Sequence, residues 1–230
     1  NIDRSNAQIA SFYPGAMAHA AELSLHEIED PRPDLVLISP NDPGAMRRYV
    51  EECREMGLPF IYDPSQQIVR LSPEDLQAGA MGAQALFVNE YEAALIHKST
   101  GLGPEDIVGR DAGEGEPQPF MVVTRGEQGA DIHAPGVKVH VPVVPPVNMV
   151  DPTGVGDAFR GGFLTGYSRN FDWETCGKMG ALAATYCLEH RGTQSHHFTV
   201  EEFVSRFNEH FGDRSSVDEL LSDRVTESGR

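Results

Sequence analysis

Three short apolar runs constrain this 230-residue chain more than any other feature: FIYD ending at Asp63, ALFVN ending at Asn89 and FMVVT ending at Thr124. Each is unbroken by polar residues and closes on one. Strands that read as continuous apolar runs, and not as alternation, are buried on both faces, which points to a mostly parallel sheet with helices over it. The neighbouring segments fit that alternation. Ala10–Tyr13 and Asp34–Ser39 read as strands, Pro43 to Met56 as an amphipathic helix, Pro73 to Ala78 as a short acidic helix, and Glu90 to Lys98 as a helix after the strand Ala85–Val88. Beyond Thr124 a glycine-marked turn leads into two shorter alternating strands, and the rest reads as helices at Asp157–Tyr167, Trp173–His190 and Val200–Phe211. Residues 216–230 are expected to be a frayed tail. Such sheets bind ligands beyond the carboxyl ends of their strands, where Asp63, Asn89 and Thr124-Arg125-Gly126 fall.

Composition narrows the partners. With 18 basic against 35 acidic side chains the formal charge is −17, which argues against nucleic acid, because phosphate backbones reward clustered Lys and Arg. An anionic ligand must then be met by backbone amides, a few placed arginines and metal ions. Cys53, Cys176 and Cys187 are odd in number and far apart, so neither a disulfide framework nor a zinc site is suggested. A cytoplasmic protein with no membrane partner is expected, since no apolar run approaches the ~20 residues of a membrane helix. The nine histidines lack HExxH spacing. The chain opens at Asn1, inside what reads as the approach to a strand, so an N-terminal portion is expected to be absent.

The stretch VDPTGVGDAFRGGF, Val150 to Phe163, carries the chemistry. It fails as a P-loop because no Lys and Ser/Thr follow Gly156, and as a dinucleotide fingerprint because Phe159 stands at the third glycine position. Two glycines at a helix start still make an anion site, because unpaired amides and the helix dipole point outward there. Asp157 would be repelled by an anion on those amides, so it reads equally as a helix N-cap and as a catalytic base.

VDPTGVGDAFRGGFLTGY resembles, over its whole length, the second signature of the PfkB family of carbohydrate and nucleoside kinases, which have the ribokinase-like fold. Asn89-Glu90-Tyr91-Glu92 is similar to the family's NxxE motif, VVTRGEQGA from Val122 to its phosphate-side strand and turn, and HRGTQSH from His190 to the loop closing its nucleotide and monovalent-cation region. ASFYPGAM from Ala10, with Arg160 after DAF, looks more like the adenosine and nucleoside kinases than the ribokinases. The resemblance covers essentially the whole chain but roughly the later two-thirds of a typical member, judged by family domain size. The first glycine-rich signature, the acid that holds the sugar hydroxyls and the β-strand lid belong to the missing front. It implies one three-layer α/β/α domain over 1–230, without lid strands.

By that resemblance Asp157 is the base that accepts the proton of a primary hydroxyl, and the amides of Gly154, Val155 and Gly156 form the anion hole. Thr124, Arg125, Gly126, Gly129 and Asn89 would meet ATP, and Arg160 would lie with Asp157 on the substrate side. Asn89 and Glu92 would organise Mg²⁺ through water, and Asp151 with Ser195, in the loop from Gly192, would hold a potassium-like ion. Plainer alternatives stand beside these roles. Asn89 and Glu92 read equally as a helix cap, with Glu90 as well placed, Arg125 as a hairpin residue, and Asp151-Pro152 as a turn opener. The small residues of GALAATYCL, Gly180 to Leu188, read first as core packing and second as an adenine contact. The expected function is an ATP-dependent kinase acting on a sugar or nucleoside, the adenosine-like branch favoured, with a homodimer among the assemblies allowed. A catalytically silent nucleotide-binding or regulatory protein, and an inactive fragment needing its missing front, are the alternatives.

Overall fold

Asp42, Pro43 and Gly57 set the limits of the first long helix. Asp42 accepts from the Gly44 and Ala45 amides at 2.9 and 3.2 Å, Pro43 occupies the first turn, where a missing N–H costs nothing, and Gly57 ends the helix in the left-handed region at φ 60°. The same local rules recur along the chain. The computed structural model describes residues 13–29, 32–113, 117–212 and 217–221. In chain order the elements are β1 (Val36–Ile38), α1 (Pro43–Met56), β2 (Phe60–Tyr62), α2 (Pro73–Gly82), β3 (Ala85–Asn89), α3 (Glu90–Thr100), α4 (Pro104–Val108), β4 (Phe120–Thr124), β5 (Ala130–Ala134), β6 (Val137–Val141), α5 (Val155–Tyr167), α6 (Trp173–Leu188) and α7 (Val200–Phe211). The six strands lie in sequence order in one sheet, and β1 to β4 are parallel. Helices α1 to α4 pack against it in a ribokinase-like α/β arrangement.

The chain divides into two compact units. One comprises the described residues up to Arg125 together with Asp131–Lys138. Its core joins one face of the sheet, through Ile38, Phe60, Tyr62, Leu86, Val88, Met121 and Val123, to Met46, Val50 and Cys53 of α1, Leu76 and Ala80 of α2, Ile96 of α3 and Ile107 of α4. The alternate residues Ile61, Ala85, Phe87, Phe120 and Val122 are buried as well, as continuous apolar runs require. β1 departs from the expected buried strand. It is three residues long, pairs with β2 alone among the described residues, and leaves Leu37 43% exposed, as befits an edge.

The other unit comprises Gly126–Ala130 and the residues from Val139 onward. Its centre is the α5–α6 pair, whose small residues are a packing device. A Cβ on Gly162 would stand 2.5 Å from the Met179 carbonyl oxygen and 2.8 Å from the Ala183 Cβ. Of the two readings of GALAATYCL, packing is the one these contacts support: Gly180, Ala181, Leu182 and Ala183 are all buried. Phe203, Val204 and Phe207 of α7 complete the burial, and Arg206 forks onto Glu189 at 2.8 and 2.7 Å.

Other sequence expectations shift at their edges. α5 begins at Val155, two residues before Asp157, and α6 stops at Leu188. The Ala10–Tyr13 strand falls mostly outside the described residues, and Tyr13 itself precedes a 3₁₀ turn, Gly15–Glu22. Of the expected frayed tail, 216 and 222–230 lie outside the described residues. Within 217–221, Val217 and Leu220 are buried and Leu220 N–H donates to the Val217 carbonyl at 3.0 Å.

Candidate active site

Each unit carries a cluster of the expected residues. In the unit built on α5 and α6, the cluster starts from Gly154, which is the N-cap of α5 and sits at φ 85°. That left-handed conformation suits only glycine, and the position is closed sterically too, since a Cβ there would lie 3.0 Å from the Thr193 Cβ. Asp157 is thus not the N-cap, which corrects that alternative; it lies in the first turn of the helix. Among the described residues no side chain caps α5, and none stands within 4 Å of where a Cβ on Gly156 would project. The Val155 amide makes only a long 3.4 Å contact with the Pro152 carbonyl, so the helix start presents backbone donors with open space beside them. Backbone donors at a helix start suit an anion in general.

The Asp157 side chain is 74% exposed, and the mostly buried Arg160 donates to its Oδ1 from the next turn. Asp151 faces two loops at once. Its Oδ1 accepts from the Thr153 amide at 3.0 Å and its Oδ2 from the Gly192 amide at 2.9 Å. Those bonds, Thr153 foremost, hold its carboxyl below the usual aspartate value. The Leu188 carbonyl accepts from Val150 and Asp151 at 2.9 and 3.2 Å, and the Ser195 hydroxyl donates to the Arg191 carbonyl. The expected partners Asp151 and the Gly192–Ser195 loop are therefore brought together, with the aspartate committed to backbone amides. Gly126 and Gly129 flank a single 3₁₀ turn, where the Gly129 amide donates to the Gly126 carbonyl at 3.1 Å.

In the unit that carries the parallel strands, Asn89 and Thr124 are register partners at the carboxyl ends of β3 and β4. Asn89 and Glu92 form a reciprocal capping box: the Asn89 side chain accepts the Glu92 amide at 2.8 Å and the Glu92 carboxylate accepts the Asn89 amide at 2.9 Å. The cap alternative is realised with a buried acid in place of an exposed one, and Glu90, equally placed by spacing, stays on the surface near Arg125 at 4.0 Å. Among the described residues no three His, Cys, Asp or Glu side chains gather into a metal-binding group. Asn89 and Glu92 do not by themselves form such a group. Arg125 also reaches Asp131 on β5, Nη1 to Oδ2 at 3.4 Å, and Lys138 Nζ lies 3.8 Å from the same oxygen. Asp131 went unnoticed in the sequence; its signal was a lone acid in the otherwise apolar start of ADIHA.

These residues lie inside a region with known relatives. The model of the pfkB family of carbohydrate kinases matches residues 4–199. The chain belongs to the pfkB family. Among curated members, the nucleoside kinases of Methanocaldococcus jannaschii and Methanothermobacter thermautotrophicus are 29% and 32% identical over 90% and 91% of this chain. The chain spans 65% of the length of each of these relatives. Among solved structures, the Burkholderia thailandensis nucleoside kinase in complex with inosine superposes with a TM-score of 0.83 at 34% identity, covering 93% of this chain and 67% of that one. Among the described residues, no helix is long and apolar enough to cross a membrane.

Proposed function

We propose that this pfkB-family chain transfers the γ-phosphoryl group of ATP to a primary hydroxyl of a nucleoside. The observation that carries the reading is the uncapped start of α5, where open backbone amides and the exposed carboxylate of Asp157 share one helical turn. Phosphoryl transfer asks little covalent chemistry of a protein; it needs an in-line hydroxyl, a base and compensation of charge. In the proposal Asp157 takes the hydroxyl proton as that oxygen bonds to the γ-phosphorus, while the bond from phosphorus to the bridging oxygen breaks and ADP leaves. The amides of Gly154, Val155 and Gly156 hold the charge that develops. ATP supplies the phosphoryl group and nothing else.

The turn separates the two roles, so the repulsion between Asp157 and an anion is reduced by direction: the amides point along the helix axis, the carboxylate to its side. Arg160 further offsets the Asp157 charge and belongs to the substrate side. Thr124, Arg125, Gly126, Gly129 and Asn89 are assigned to the nucleotide, and Asn89 with Glu92 to hydrated Mg²⁺ through its outer shell. A potassium-like ion is assigned to Asp151 and the Gly192–Ser195 loop. Support for a nucleoside over a sugar comes from the names of the relatives: nucleoside kinases, one of them crystallised with inosine and another time with ADP and inosine. The adenosine-like branch stays the favoured one within that class.

The test is ADP release with Mg-ATP against adenosine, inosine, cytidine, ribose and fructose, with and without potassium. Turnover on a nucleoside supports the proposal, turnover on a sugar alone replaces the acceptor, and ADP binding without turnover on any of them returns the chain to a silent nucleotide-binding role.

A further inference from the structure

We propose that Asp131 is a positioning residue for Arg125, holding the guanidinium at the end of β4 for the phosphate tail of a nucleotide, with Lys138 as the second counter-ion of the Asp131 carboxylate. This rests on the assignment of Arg125 to the nucleotide. Asp131 is 7% exposed on β5, and a carboxylate taken that far from water needs compensating charge close by. Two cations supply it, Arg125 at 3.4 Å and Lys138 at 3.8 Å, both on the same oxygen, Oδ2.

The geometry separates holding from consuming. A guanidinium bound to a carboxylate through both arms of its fork is spent on that partner. Here Nη1 approaches Asp131 at a distance longer than a charged hydrogen bond, Glu90 lies 4.0 Å from Nε, and the Arg125 side chain is 41% exposed while that of Asp131 is 10% exposed. The cation is oriented by charge and faces outward. Its position is that of a ligand contact, one residue beyond Thr124 at the carboxyl edge of the parallel strands. When Arg125 turns to an anion, Lys138 keeps Asp131 from becoming an uncompensated buried charge, which removes the main cost of that turn. His133, two residues along the same face of β5, is held below the usual histidine range by burial first and then by Lys138, with Arg125 adding to them and Asp131 opposing.

The experiment is ADP affinity by titration calorimetry for the wild type, Arg125→Met, Asp131→Asn and the double variant, which needs no turnover. If Asp131 acts through Arg125, each single change weakens ADP binding by about tenfold, the loss expected of one charged hydrogen bond, and the double variant is no weaker than Arg125→Met within about twofold. Wild-type affinity in Asp131→Asn, or losses that multiply in the double variant, overturns the proposal. Asp131→Glu keeps the charge and covers the case in which the Asn variant does not fold: a loss smaller than that of Arg125→Met supports the proposal, and a loss as large or larger overturns it. A wild-type protein that binds no ADP removes the nucleotide assignment first, and the proposal with it.

Discussion

The Asp151 carboxylate and the Gly192 amide meet at 2.9 Å, tying the loop that leads into α5 to the loop that follows α6. Because Thr193 also packs on the Gly154 backbone, the conformation of the candidate anion site depends on a loop some forty residues further along the chain. Hydrogen bonds from Thr153 and Gly192 depress the Asp151 pKa, so its contribution is present above the ordinary aspartate value of 3.8 and is lost as pH falls through the lower folded value. The thermal midpoint of Asp151→Ala should therefore lie below the wild type by a constant margin from pH 7 to about 5, and the gap should close below about pH 4. Melting curves of the two proteins across that range check it. A margin that grows on acidification would contradict the assignment.

The capping box at Asn89 and Glu92 separates the two roles considered for Glu92. Glu92→Gln keeps an acceptor for the Asn89 amide and removes the charge, so stability should change by less than about 0.5 kcal/mol, whereas Glu92→Ala should lose about 1 kcal/mol with the cap. If Glu92 also faces hydrated Mg²⁺, the Gln variant needs a higher Mg²⁺ concentration for half-maximal turnover. An unchanged metal requirement leaves Glu92 as a cap and nothing more.

Of the glycines at the α5–α6 contact, Gly162 is the most closely approached. Alanine there must displace the Met179 backbone or the Ala183 side chain, and overpacking of that kind costs about 1–3 kcal/mol. Gly161, with nothing within 4 Å of its Cβ direction, should accept alanine with no loss. Chemical denaturation of both variants makes the comparison, and equal stabilities would mean that the helices do not approach as described.

Much of this was legible in the sequence, for identifiable reasons. The runs at Phe60, Ala85 and Phe120 became β2, β3 and β4 because nothing but burial on both faces suits an unbroken apolar strand, and Pro43 with the amphipathic stretch to Met56 matches α1. The start of α5 was misplaced because Asp is the commoner cap, and only the positive φ of Gly154 and its contact with Thr193 decide otherwise. The choice between Glu90 and Glu92 depended on which acid turns back to the Asn89 amide, a matter of side-chain direction that spacing leaves open. β1 read as buried because composition does not say where a sheet ends. Asp131 went unseen because its two counter-ions come from positions six residues before it and seven after, with no spacing rule to join them.

The central claim is that Asp157 acts as a base beside an anion site made of backbone. Its most direct test is Asp157→Asn, measured for ADP affinity and for turnover with the best nucleoside acceptor. The account predicts affinity within about twofold of the wild type, since the amides of α5 are untouched, and kcat lower by at least about 10²-fold, the lower end for loss of a general base. Turnover equal to the wild type would contradict it and leave Asp157 as an exposed acid in the first turn of a helix.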